Sequence, residues 1–350
     1  MQLTQLDLFA DDDPAPAPLP KASTPALLPA TPARPKPTTP RILPTPSSTS
    51  ARPDLTGIAA DSSWADNLAV KIAESVAHAW HTAHGGSNIA MPIGAVAALA
   101  LVAQRDPDGP PLGEQIMSLS TDDLIPLLAR IWSQHWMSYP HLVDRALPIH
   151  GWLEQDLAQN ERYAVRQVVH AALRTGLLRL TGHHAPEDRA HADVLSHVIQ
   201  MLRSHGARDG LGEFHTPPPI AETMAVITVM PPEPGDSILD PAAGSGGLMR
   251  AAAQVIRRHG MDPAEFTWAM VDIDPIAASC AATNAIVWGL TNGNGTNVTV
   301  ACDDSLANAR AVEDARKRAR EVIEHRNSVV GTLRLATNVR RAQAFLARVA

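Results

Sequence analysis

Only two cysteines, Cys280 and Cys302, occur in 350 residues. They provide neither a disulfide framework nor a zinc set, and they suit a reducing compartment, so the cytoplasm is the expected location. The start of the chain lacks the pattern of a secretory signal. The apolar run from Ile89 to Ala103 is interrupted by Pro92 and Gly94. It is shorter than the roughly 20 residues that cross a bilayer, and it reads as a buried helix, so no membrane partner is expected. Histidine is plentiful, at 15 residues, but no ligand set forms. His81 and His84 share a helix face with no acid or cysteine to complete a site, so no metal is expected. No internal repeat is evident. The net charge of −7 excludes a general polyanion binder and leaves any DNA contact to a local basic patch.

What is present falls into four segments. Residues 1–55 hold 13 of the 30 prolines, among Ala, Ser and Thr. Such a segment buries too little apolar surface to offset its ordering entropy and is expected to be disordered. One island interrupts it, Gln5-Leu6-Asp7-Leu8-Phe9. Residues 56–206 read as a helical domain. Trp64, Leu68, Ile72, Val76 and Trp80 form one apolar stripe. Ser120 or Thr121 is placed to cap a helix through Ile131, with Asp122 and Asp123 suiting its first turn. Further helices are predicted over Glu161 to Leu180 and His191 to His205. With 45% hydrophobic residues, the chain can build a sizeable core in two domains.

Residues 207–308 carry the chemistry. Ser237-Ile238-Leu239-Asp240 is a short strand ending in acid, followed by Pro241-Ala242-Ala243-Gly244-Ser245-Gly246-Gly247-Leu248 and a helix running to Gly260. Such a loop leaves room for a ligand, and its backbone N–H groups and the helix N-terminus favour a polar or anionic group. The spacing is neither G-x-G-x-x-G nor G-x-x-x-x-G-K-[ST], which disfavours dinucleotide and P-loop sites. Two more strands end in acid: Met270-Val271-Asp272-Ile273-Asp274-Pro275 and Val298 to Asp303-Asp304-Ser305-Leu306. Upstream lies Gly212-Glu213-Phe214-His215-Thr216-Pro217. An acid at the end of the second strand is placed to accept both hydroxyls of a ribose.

These pieces, in this order, resemble the S-adenosylmethionine (SAM) site of adenine-N6 DNA methyltransferases, and most of all the modification subunit of type I restriction systems. The resemblance covers about Asp193 to Asn308. It implies a Rossmann-like α/β methyltransferase domain, SAM as cofactor, DNA as substrate, and a specificity subunit or another methyltransferase subunit as partner. It further implies that Phe214, Thr216 and Pro217 contact SAM, with His215 where the family has Tyr. Asp240 and the loop residues Ala242, Gly244, Ser245 and Gly246 would hold the methionine moiety, and Asp272 the ribose. Asp304, or its neighbour Asp303, would accept from the adenine amino group. Asn284 matches a family Asn, although a surface capping role fits equally well. The pentapeptide Gln5 to Phe9 is similar to sequences that dock on the replication sliding clamp.

The family's catalytic [N/D]-P-P-[F/Y] segment is missing after Asp304, so catalytic residues are unassigned and the domain reads as incomplete, with three strands. Residues 309–350 carry ten Lys or Arg against four acids. They are read either as a pair of phosphate-contacting helices or as a solvated surface with Glu313–Lys317 and Asp314–Arg318 pairs. The functional readings are therefore a DNA adenine-N6 methyltransferase subunit, a catalytically silent SAM-binding protein associated with DNA, or a clamp-tethered adaptor.

Overall fold

Helix α1 (Ile58–Thr82) opens a layer of helices that precedes the sheet. The computed structural model describes residues 58–83, 85–106, 108–203, 215–229 and 232–349. The Pro-rich segment with Gln5 to Phe9, and also His84 and Phe214, lie outside them. The buried stripe of α1 runs through Ala65, Ala69, Ile72, Ala73, Val76 and Trp80, while Trp64 is 44% exposed. The four-residue spacing drifts around the helix, so the first member of the expected stripe turns out of the core. The predicted buried helix is α2 (Ala90–Ala100), in which every residue from Met91 onward is buried.

Next come α3 (Leu112–Met117), α4 (Thr121–Ser138), α5 (Pro140–Arg145) and α6 (Leu147–His150). Ser120 caps α4, its Oγ accepting from the Asp123 amide at 3.2 Å. The helix expected over Glu161 to Leu180 is two, α7 (Gln159–Thr175) and α8 (Leu177–Thr181). They break at Gly176, whose φ of 113° no helix accommodates. Helix α9 (Val194–Leu202) starts later than the sequence indicated, because Asp193 is its N-cap and accepts from the Ser196 amide at 3.0 Å.

After α10 (Pro218–Val229) the chain alternates β1 (Ser237–Asp240), α11 (Gly247–Arg258), β2 (Thr267–Asp272), α12 (Pro275–Val287) and β3 (Val298–Cys302). This is the α/β part. Its three strands are parallel in the order β1-β2-β3, with Ser237 opposite Thr267 and Trp268 opposite Val298. All three strands therefore end on the same side of the sheet, which collects Asp240, Asp272 and Asp304 there. Strands β2 and β3 are buried along their length, whereas β1 exposes Ser237 and Leu239.

The helical layer and the sheet share one packed body, Thr56–Ala350. Helix α12 packs on α5, α6 and α9 as well as on β2 and β3. Across this seam the His141 ring, 6% exposed, bonds through Nε2 to the Gly295 carbonyl at 3.1 Å. The chain ends its described course in α13 (Ala311–Val349), a single 39-residue helix rather than a pair. Its first half packs on α5 and β3, and its residues from Gly331 on are exposed wherever their side chains are described. The expected Asp314–Arg318 pair is replaced by a tertiary one, as Arg318 reaches Asp144 of α5 at 3.1 Å.

Candidate functional site

The loop between β1 and α11 is held by the two carboxylates that flank it. Asp240 Oδ1 accepts from the Ala242 amide at 3.0 Å, and Asp272 Oδ2 accepts from the Gly244 amide at 2.7 Å. The Ala243 amide donates to the Val271 carbonyl at 2.9 Å and the Gly246 amide to the Ala243 carbonyl at 2.8 Å. Four loop amides are thus used internally. Among the described residues this leaves the Ser245 amide and those of the first turn of α11 to meet a ligand. Gly246 turns the chain at φ 96°, and a Cβ there would stand 3.3 Å from Trp288, so both backbone and space call for glycine.

Behind the loop lies a buried polar cluster that sequence reasoning missed. Asp193 is its centre. Its Oδ2 accepts from Ser245 Oγ at 2.6 Å, and its Oδ1 accepts from Asn284 Nδ2 at 3.0 Å while it caps α9. Asn284 Nδ2 also donates to the Ser245 carbonyl at 2.9 Å. Asn284 is 3% exposed, which rules out surface capping and makes it a strut under the loop. The Ser245 hydroxyl faces this cluster. Nearby, Asp274 caps α12 through the Ile276 and Ala277 amides and pairs with Arg203 at 2.5 Å, both side chains buried. The acid before a run of apolar residues was the one available signal for Asp193. Nothing local marks Arg203.

The acids at the strand ends differ in what they still offer. Asp240 is 6% exposed, and its Oδ2 has no hydrogen-bond partner. Burial first, and the neighbouring Asp272 charge second, raise its pKa above the usual carboxylate range, against the lowering effect of the Ala242 amide. Asp272 holds Gly244 with one oxygen and accepts from the Asp274 amide at 2.9 Å with the other. Asp303 spends both oxygens in its own turn, on the Asp304 amide and on Asn308 Nδ2. Asp304 uses Oδ1 on the Leu306 and Ala307 amides. Ile273 is 61% exposed and Leu306 98% exposed, so two apolar side chains follow the second and third strands at the same rim as the acids.

Of the other expected residues, Ala242 is exposed on the loop, and Thr216 and Pro217 lead into α10. Their neighbour His215 is tied to α9, its Nδ1 lying 2.9 Å from Ser196 Oγ. Loop, acids and α9 are therefore linked, while Phe214 stays outside the described residues. Among the described residues no cluster of three or more His, Cys, Asp or Glu has metal-binding geometry.

Residues 190–323 match the family model described as N-6 DNA Methylase. Over 78 residues the chain is 36% identical to the type I restriction enzyme MjaIX methylase subunit of Methanocaldococcus jannaschii; the match takes in 22% of this chain and 13% of the relative, so only a small part of the relative's length is represented. The methyltransferase subunit of a type I restriction-modification system from Streptococcus thermophilus is similar in structure at 18% identity and a TM-score of 0.37, covering 67% of this chain and 57% of that one. The DrdV–DNA complex is similar at 15% identity and a TM-score of 0.34, covering 77% and 28%. Residues 190–323 of this chain are thus similar to the N-6 DNA methylases, and the chain is similar over 78 residues to the methylase subunit of a type I restriction enzyme.

Proposed function

We propose that this chain binds SAM at the C-terminal ends of β1, β2 and β3 and serves as the cofactor-holding part of a DNA adenine-N6 methyltransferase. The observation that carries the reading is Asp240 Oδ2, a buried carboxylate oxygen without a partner beside a loop that presents free amides. Leaving such a group unsatisfied costs about 1–3 kcal/mol, more when charged. An ammonium group is the natural complement, and the methionine end of SAM carries one. Its carboxylate would meet the Ser245 amide and the first turn of α11. Asp272 would accept from the ribose hydroxyls while keeping Gly244 in place. Ile273 and Leu306 would cover the adenine, and Asp304 would accept from its amino group through Oδ2, since its turn amides bond to Oδ1.

SAM, when bound, supplies an electrophilic methyl group. The chain's own part is to hold the donor and to exclude water from it; no residue here is assigned to the target base, because the [N/D]-P-P-[F/Y] segment is missing from the sequence. DNA contact would come from α13, where Arg316, Lys317, Arg320, Arg334, Arg340 and Arg341 are exposed, while Arg310 and Arg318 are held by Glu313 and Asp144. The test is transfer of labelled methyl from SAM to DNA by the complex purified from the cells that make it. Label at adenine N6, lost with Asp272→Ala, is the expected result. Label on another base, or none from a complex that binds both SAM and DNA, would contradict it.

A further inference from the structure

The helical layer holds a cavity of about 570 Å³, within the usual size of a small-molecule site. One wall is a face of α4, with Trp132, Ser133, Trp136 and Met137 at helical spacing. The other is Val143 of α5, His150 at the end of α6, and Leu153 and Glu154 of the 3-10 turn Gly151–Glu154. None of these residues belongs to the loop, the strand ends or α9, so the cavity is not part of the proposed cofactor site. Its lining is aromatic. Trp132, 3% exposed, stacks on His150 with ring centroids 4.5 Å apart and planes at 26°. The His150 ring is held in turn by Nε2, which lies 3.0 Å from the Val143 carbonyl. Trp136 is steadied by His325 of α13, which meets it edge-on at 6.4 Å. The flat rings are therefore set in place before a ligand arrives. The polar groups are few and of both signs. Glu154 and Arg130 are exposed at the rim. Arg326 of α13 bonds to the carbonyl of Met137 beside it. The Trp132 indole Nε1 is buried with no acceptor among the described residues, an unsatisfied donor that an acceptor on a ligand would relieve.

We propose that this cavity binds a free guanine nucleotide. Flat rings and apolar side chains accept a heteroaromatic base by stacking. A carboxylate then singles out guanine, because only guanine offers two adjacent N–H groups, N1–H and the 2-amino group, to its two oxygens. Glu154 is that carboxylate. Adenine would set the lone pair of its N1 against it, so the same group that attracts one purine repels the other. The guanine O6 supplies an acceptor for an indole N–H. Arg130 and Arg326 bring two positive charges to the rim and its neighbourhood, where the phosphate would lie. A fatty acyl chain fits worse, since it brings no donor to Glu154 and no acceptor to Trp132. An aromatic side chain of a peptide fits worse too, since it carries no pair of donors for a carboxylate. The inference is independent of the SAM reading.

The test titrates GMP into the purified full chain by calorimetry, beside AMP, guanosine and a guanine-containing single-stranded oligonucleotide. The expected result is saturable binding of GMP, with AMP weaker by about tenfold, the discrimination that a well-placed bidentate pair provides. Glu154→Gln should bring GMP down to the level of AMP. Trp136→Ala should weaken both nucleotides by about tenfold, as the loss of a stacking ring does. Trp132→Phe keeps the stack on His150, removes the N–H and should weaken GMP severalfold. Arg130→Gln should weaken GMP more than guanosine. Glu154 is exposed and Trp136 half-buried, and thermal unfolding of each variant separates lost binding from lost fold. No binding of GMP, equal binding of GMP and AMP, or binding indifferent to both Trp136→Ala and Glu154→Gln would overturn the proposal. So would GMP that SAM displaces, which would put it in the cofactor site. An oligonucleotide that binds more tightly than GMP and needs Trp136 would also overturn it and give the cavity to DNA.

Discussion

Asp240→Asn is expected to weaken SAM binding by about 10- to 100-fold while making the SAM-free protein more stable at neutral pH. The two effects have one cause. Burial raises the Asp240 pKa, so the ionised form is disfavoured in the folded chain. For an acid with a raised folded pKa, the stability contribution is complete below the unfolded value of 3.8 and is lost as pH rises through the folded value. Asparagine stays neutral, keeps an oxygen for the Ala242 amide, and removes that loss. The stability gain should therefore fade as pH falls towards 3.8. Binding runs the other way, because the ammonium group favours an ionised Asp240. A hydrogen bond to a charged group contributes about 1.5–3 kcal/mol, which gives the fold-change above. The affinity of the unmodified protein should fall as pH drops towards the raised pKa, with proton release on binding in that range, and the Asn variant should lack this dependence. Calorimetry in buffers of different ionisation enthalpy, together with thermal unfolding, reads all of these. A variant that binds SAM as well as the parent would remove Asp240 from the site.

Asp193→Ala is expected to cost about 2–4 kcal/mol of stability, read as a lower denaturation midpoint at unchanged slope. Three groups lose an acceptor at once: the Ser196 amide at the start of α9, the Ser245 hydroxyl and the Asn284 amide nitrogen. Asn284 keeps its bond to the Ser245 carbonyl, so the losses do not simply add. Asp193→Asn keeps one oxygen for the cap and for Asn284 and should cost less. Because Ser245 belongs to the loop, the Ala variant should also weaken SAM binding, although Asp193 is placed to touch no ligand. A change within about 0.5 kcal/mol, the range of ordinary surface substitutions, would show that the seam between α9 and the loop is held by something else.

The contrast between these two residues shows what the sequence makes legible. Asp240 sits in a local pattern: an apolar run, an acid, then small residues, all within one strand and turn. The same local logic exposes the strands ending at Asp272 and before Asp304, the buried α2 and the Ser120 cap. Asp193 acts across the chain, on Ser245 at 52 positions' separation and on Asn284 at 91. No periodicity reports such partners. The same holds for Arg203 with Asp274, and for Arg318, whose local partner Asp314 yields to the distant Asp144. The break at Gly176 was hidden because the apolar period continues on both sides of it. The continuity of α13 was hidden because an alanine- and arginine-rich stretch gives no sign of whether it turns. The order of the three strands could not be read at all, since it is a property of the sheet and not of any strand.

The most direct measurement is a calorimetric titration of the purified full chain with SAM, beside Asp240→Asn and Asp272→Ala. The expected result is saturable binding at one site, weakened by the first substitution and lost with the second, which removes the acceptor of the Gly244 and Asp274 amides as well as that proposed for the ribose. A folded chain that takes up no SAM, or binding that both substitutions leave untouched, would contradict the account and leave the loop, acids and strut as a scaffold without a ligand.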